Sequence, residues 1–174
     1  MNKGIIRCVG DAKERFTEDA LRMMRAIRFS AQLGFDIEEN TYNAISKLSP
    51  SISHVSMERI QVELVKTLLS DNPGYVMRFY ETGLFKYVLP DIGWVLGGRY
   101  SRNALTMLKF SKKQPVFRYA ALLNTPEPEN VRKTLRELKL DNYTVEHVTK
   151  LVANSKVTIE ENEPALREAV HQYG

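Results

Sequence analysis

Apolar residues recur at three- and four-residue spacing along almost the whole of this 174-residue chain, and alternating β-branched runs are nearly absent. That period belongs to the α-helix. The chain is therefore expected to be all-α, a multi-helix assembly with at most a short strand remnant at Ile5 to Val9. The strongest helix is predicted from Thr17, read as its N-cap, to Gly34, read as its C′ residue. Phe16 and Leu21 stand where a hydrophobic staple would, and Glu18 and Asp19 suit the positive end of the helix dipole. Further helices are expected around 38–48, 57–70, 73–82, 102–112, 115–123, 128–139 and 143–153, with another beginning near Pro164. Pro73 after Asn72 and Pro128 after Glu127 read as first-turn prolines, and Gly83 as a helix stop. Pro90-Asp91-Ile92-Gly93, followed by Gly97-Gly98, is the clearest punctuation. It divides the chain into units 1–92 and 93–174, the second expected to be cut short at Gly174.

Wound at about 100° per residue, the helix through Glu18 sorts its side chains. Ala20, Met23, Met24, Ile27 and Ala31 form a core face, and Glu18, Arg22, Arg25 and Gln32 the opposite one, flanked by Asp19 and Arg28. Asp19 and Arg22 are three residues apart, so an acceptor-only carboxylate and a five-donor guanidinium can share one edge. Such an edge can read the Watson–Crick face of a base. The same spacing also suits a surface ion-pair ladder, worth about 0.2–0.5 kcal/mol per pair.

The longer string decides between them by resemblance. Gly10-Asp11-Ala12-Lys13-Glu14-Arg15-Phe16-Thr17-Glu18-Asp19-Ala20-Leu21-Arg22-Met23-Met24-Arg25-Ala26-Ile27-Arg28-Phe29, with Leu33-Gly34-Phe35, resembles the junction of head and neck in class II tRNA nucleotidyltransferases. These are the CCA-adding enzymes and bacterial poly(A) polymerases. Gly10 to Phe16 is similar to the family's flexible motif, and Glu18-Asp19-Ala20-Leu21-Arg22 matches its E-D-x-x-R nucleotide-selecting motif. Ser56-Met57-Glu58-Arg59-Ile60 with Glu63-Leu64 is similar to a helix that braces the selecting one, and the likeness runs on to Leu89-Pro90. It implies that Asp19 and Arg22 pair with the incoming CTP or ATP base, that Glu18 helps fix Arg22, and that Arg25 belongs to the same nucleotide-binding set. Arg15, Arg28, Glu58, Arg59 and Glu63 are the supporting residues. The implied acceptor is the tRNA 3′ end, and the implied Mg²⁺ belongs to a head supplying paired carboxylates. No Asp-x-Asp occurs in the chain, and Asp36-Ile37-Glu38, the nearest approach, is expected to cap a helix. The head is therefore expected to be absent, leaving no catalytic or metal-binding residue and an inactive neck and body, the neck being 1–92 and the body 93–174.

The second unit resembles, more weakly, an HD-type phosphohydrolase region. Arg118-Tyr119-Ala120-Ala121-Leu122-Leu123 is followed by Asn124-Thr125 where a His-Asp pair would stand, and Arg102-Asn103 occupies another ligand position. Such side chains are poor ligands. His54, His147 and His171 share no spacing and are expected at the surface or at caps. The alternatives are an A-adding or poly(A) polymerase relative, an HD-type phosphohydrolase, and a standalone helical RNA-binding module.

With 25 basic and 21 acidic residues the net charge is +4, which permits a polyanionic partner without demanding one. Lys109, Lys112 and Lys113 end one helix in positive charge and Arg132, Lys133 and Arg136 mark another; either set suits tRNA phosphates or a solvated face. Phe85, Tyr87 and Trp94 are expected to pack between the two units rather than stack a base. Cys8 is the only cysteine, no apolar run approaches the ~20 residues of a membrane span, and the first residues lack a signal-peptide core, so a reducing cytoplasm is expected. No signal fixes an oligomeric state.

Overall fold

The computed structural model describes residues 4–98, 100–124 and 129–155. The expectations at Arg99, Thr125, Pro128, Pro164, Ala165 to Tyr173 and His171 lie outside the described residues. Within them the chain is almost wholly helical, as its periodicity predicts, with one two-stranded parallel ladder.

The ladder joins β1 (Ile5–Ile6) to β2 (Asp36–Ile37), with Ile5 opposite Asp36 and Ile6 opposite Ile37. β1 lies inside the expected strand remnant. Of the triplet expected to cap a helix, Asp36 lies in β2 and its carboxylate accepts from Arg78 at 3.0 Å, whereas Glu38 does stand at the N-cap position of the next helix, although its side chain pairs with Arg7 at 2.8 Å and accepts from the Thr41 hydroxyl at 2.9 Å rather than capping a backbone N–H.

The long helix expected from Thr17 is two helices, α1 (Ala12–Glu18) and α2 (Leu21–Leu33). Asp11 is the better cap, because its Oδ1 accepts from the backbone N–H groups of Lys13 at 2.7 Å and Glu14 at 3.1 Å. Thr17 then falls inside α1 and bonds back to the Lys13 carbonyl. The segment likened to a flexible motif is thus a capped turn and a helix. α2 ends as expected at Gly34, whose φ of 68° is the left-handed C-cap conformation. Met23, Met24, Ile27 and Ala31 are fully buried, and each of the three larger ones contributes about 1.5–3 kcal/mol of transfer free energy.

α3 (Glu39–Leu48) and a 3₁₀ turn (Ser49–His54) lead to α4 (Met57–Leu68), which packs along α2 through Ile60, Leu64 and Leu68. A 3₁₀ turn begins at Pro73, α5 spans Met77–Glu81, and Gly83 stops it at a φ of 78°. Two further helices follow that the sequence reading lacks, α6 (Leu84–Val88) and α7 (Pro90–Gly97). The Pro-Gly punctuation is therefore helical. Pro90 serves in the first turn, where its missing N–H costs nothing. Gly97 allows a close approach, since a Cβ there would overlap the Tyr80 ring and hydroxyl unless that exposed side chain moved.

α8 (Ser101–Phe110), α9 (Pro115–Leu122), α10 (Glu129–Glu137) and α11 (Asn142–Ala153) complete the described chain. Buried side chains from Phe16 to Val152 form one cluster, to which Ile92 and Leu96 of α7 belong. Phe85 is fully buried in it. Tyr87 and Trp94, expected to pack between units, are 40% and 54% exposed, and the Trp94 ring lies against Tyr100, 5.8 Å between ring centroids.

Candidate nucleotide-selecting elbow

Asp19 separates α1 from α2. Its backbone is extended (φ −149°, ψ 103°), closing α1, while its carboxylate Oδ1 accepts from the Leu21 N–H at 3.1 Å across Ala20, the N-cap residue of α2. The chain turns there, and side chains from two helices converge on the outside of the bend.

Glu18 is the hub. Its Oε2 accepts from Arg22 Nη1 at 2.5 Å and from Arg15 Nη1 at 3.2 Å. Arg22 Nη1 also donates to the Arg15 carbonyl at 3.1 Å. These hydrogen bonds, that from Arg22 above all, hold the Glu18 carboxyl below its ordinary range, so it is anionic at neutral pH. Arg22 nevertheless keeps 38% of its side-chain surface in solvent, leaving other guanidinium donors for a ligand.

Asp19 and Arg22 are not paired with each other. Asp19 Oδ2 is held from α4 by Arg59 Nη2 at 3.0 Å. Each member of the expected base-reading edge thus has its own holder, Glu18 for Arg22 and Arg59 for Asp19. Residues expected to act from the bracing helix divide accordingly. Arg59 reaches the site itself. Glu63 lies beneath it, with Oε2 2.7 Å from Arg28 Nε and the two side chains only 9% and 12% exposed. That contact is a close charge pair rather than an aligned hydrogen bond, since both atoms lack a hydrogen-bond partner. Arg28 further donates to Gln32 at 3.2 Å and covers the Phe29 ring at 3.9 Å. Glu58 is exposed in the first turn of α4 and stays outside the network.

Arg25, one turn beyond Arg22, is exposed and makes no ion pair with a described residue. Arg22 and Arg25 border a groove of about 280 Å³ whose other walls include Phe16, Phe29, Cys8 and Thr41. The sequence reading missed this wall. It exists because the β1–β2 ladder brings residues 6–8 alongside α2, a long-range pairing with no local signal. Burial pushes the Cys8 thiol up from its usual value, so the thiol stays protonated and is no nucleophile.

The HD-like positions do not converge. Arg118 is buried and donates to the Leu108 carbonyl, capping α8; Asn124 donates to Met107 Sδ and accepts from Ser155; Arg102 and Asn103 face solvent. His147 is exposed and stacked on Tyr143, and His54 ends a 3₁₀ turn. Among the described residues no three His, Cys, Asp or Glu are grouped to hold a metal ion. None of the described helices is long and apolar enough to cross a membrane.

Residues 34–94 match the family described as the "Probable RNA and SrmB- binding site of polymerase A". The CCA-adding enzyme of Enterococcus faecalis is 39% identical over 149 residues, covering 84% of this chain and 36% of that protein. That of Geobacillus kaustophilus is 35% identical over 154 residues, covering 88% and 37%. The crystal structure of the Bacillus stearothermophilus CCA-adding enzyme in complex with CTP superposes with a TM-score of 0.70 at 34% identity, over 88% of this chain and 38% of that one. The chain thus spans well under half the length of the relatives it matches. With sequence and fold in agreement, the chain belongs to the family of CCA-adding enzymes and bacterial poly(A) polymerases, of which it represents a part.

Proposed function

We propose that this chain is the neck (1–92) and body (93–174) of a CCA-adding tRNA nucleotidyltransferase, and that its α1–α2 elbow selects the incoming CTP or ATP. The observation that carries the reading is the separate anchoring of Asp19 by Arg59 and of Arg22 by Glu18. A carboxylate and a guanidinium fixed by different partners present an acceptor and donors in a set order, as template-free reading of a base edge requires. Glu18, Asp19, Arg22 and Arg25 are the nucleotide-binding set, with Arg15, Arg28, Arg59 and Glu63 in support and Glu58 more remote. The relative crystallised with CTP supports the choice of nucleotide, and the tRNA 3′ end is the acceptor. Among the described residues no three His, Cys, Asp or Glu are grouped to hold a metal ion, and no step through Mg²⁺ is assigned to them. Cys8, lone and protonated, suits a reducing cytoplasm.

The test places Arg22→Ala in an enzyme that joins this neck to a nucleotidyltransferase head. Bidentate contacts to a base are worth about 1–3 kcal/mol, so preference for CTP and ATP over UTP and GTP should fall by roughly 5- to 150-fold. Asp19→Ala should act likewise, and the double variant should be less than additive because both act on one base. Met24→Ala, in the core, should cost about 2–5 kcal/mol of stability and leave nucleotide preference alone. Unchanged discrimination in Arg22→Ala, with a destabilised fold, would make the residue a structural ion-pair partner and end the proposal. The chain by itself should transfer no labelled CTP or ATP to tRNA in the presence of Mg²⁺.

A further inference from the structure

Two basic clusters stand on the C-terminal helices, and the structure treats them differently. On α10, Arg132 makes a two-pronged ion pair with Glu146 of α11, at 2.6 and 2.8 Å, and Lys133 lies 3.7 Å from Glu137. These two charges are neutralised within the protein, while Arg136 forms no ion pair with a described residue. On α8 the cations have no such partners. Ala104 and Leu108 turn inward, leaving Arg102, Asn103, Thr106, Lys109 and Phe110 exposed along one outer stripe. Lys112 follows in the turn to α9. Arg102, Lys109 and Lys112 form no ion pair with a described residue; the two lysines only lie over phenylalanine rings, Lys109 at 5.6 Å from Phe110 and Lys112 at 5.4 Å from Phe117. Among the described residues the acid that pairs with a cation of this corner is Asp71, which holds Lys113 at 2.6 Å.

The sequence around the stripe is one-signed. Between Asp91 and Glu127 there is no acidic residue, whereas Arg99, Arg102, Lys109, Lys112, Lys113 and Arg118 are six basic ones. Taking these 6 from the chain's 25 basic residues leaves 19 against 21 acidic, a net −2, so this segment accounts for more than the whole +4. Within it stands Phe110, 77% exposed. A solvated ring flanked by unpaired cations offers what a nucleic-acid strand can use, stacking or sugar contact beside phosphate neutralisation. Arg102 and Lys109 lie two turns apart on one face, about 10 Å along the axis, so they would meet different phosphates.

We propose that the outer face of α8 and the turn after it form a docking surface for an RNA strand, with Arg102, Lys109 and Lys112 on its phosphates and Phe110 against a base or ribose. The inference rests on the reading of the chain as part of a tRNA-acting enzyme and adds the surface through which the body holds RNA. It is tested on this chain with a synthetic RNA hairpin bearing a single-stranded 3′ tail, titrated from roughly 50 to 200 mM salt. Replacing Arg102, Lys109 and Lys112 together by Ala should weaken binding at least about tenfold and flatten the slope of log K against log salt by roughly two to three. Phe110→Ser should weaken binding at least about fivefold with the slope unchanged. The Arg132→Ala/Lys133→Ala pair should bind as the parent does, and all variants should melt with it. The proposal is overturned if the triple variant keeps parental affinity and slope, or if the α10 pair loses as much. It is equally overturned if the triple variant loses only its binding to phosphatidylserine vesicles; a Phe110→Ser chain that binds normally removes the aromatic contact. Arg22→Ala should leave the salt slope untouched, so base selection and RNA docking can fail independently.

Discussion

The elbow between α1 and α2 and the outer stripe of α8 are both rich in arginine or lysine, yet they hold them in opposite ways. At the elbow Arg15 and Arg22 share one oxygen of Glu18, Arg59 grips Asp19, and Arg28 is sunk against Glu63. On α8 the cations stand in solvent without acids. A guanidinium that is already oriented loses little freedom when a ligand arrives and can discriminate by geometry. Unheld lysines attract any phosphate and discriminate little. On the proposed reading the difference separates choosing from holding, and it lies in the partners of the charges rather than in their number.

The largest expected effect comes from beneath the elbow. Glu63→Ala leaves Arg28 with an uncompensated, mostly buried charge and should cost about 3–5 kcal/mol in denaturant unfolding, whereas Lys109→Ala on α8 should stay within about 0.5 kcal/mol. Equal small losses would erase the contrast. Next, Asp11→Ala removes the α1 cap; it should cost about 0.5–2 kcal/mol and, by fraying α1, loosen Glu18, which hydrogen exchange of the α1 amides would report. Smaller still, Arg59→Ala deletes a half-exposed ion pair worth about 0.2–1 kcal/mol. Its mark should be a weaker preference among nucleotides, with Arg59→Lys partly restoring it. A preference untouched by Arg59→Ala would mean that Asp19 needs no holder. The smallest effect is one of pH. The Glu18 carboxyl is held below its ordinary 4.5, so its pairing is complete above that value and is lost as pH falls through the lower folded-state value. A carbon NMR titration of Glu18 should find its midpoint below 4.5; a midpoint at or above 4.5 would mean that Arg22 and Arg15 do not hold it.

Much of this was legible in the chain. The 3.6-residue period located α2, its buried face and its glycine stop because those depend on near neighbours, and the motif string singled out Glu18, Asp19 and Arg22 as candidates. The break at Asp19 was not legible: a helix-compatible run continues through it, and the Arg59 that holds the Asp19 carboxylate comes from forty residues away. β2 was hidden for the same reason, since two residues gain strand geometry only from a partner thirty-one positions earlier. α7 was misjudged from its Pro and Gly, which mark loops on average but here start a helix and admit the Tyr80 ring. Of the two basic helices, only the structure could tell that Arg132 on α10 is neutralised while the cations of α8 are free, because Glu146 meets Arg132 across a helix–helix contact.

Asp19 is asked for several things at once: an extended backbone to end α1, one oxygen for the Leu21 N–H, and another for Arg59. Asn keeps the backbone habit and one acceptor but offers Arg59 an amide; Ser can cap but cannot reach; Glu has the charge but carries it a methylene too far. Substitution tolerance at this position should therefore be far narrower than at Arg25, its exposed neighbour, and a saturation library would register the bend as a site where nearly every alternative fails for a different reason.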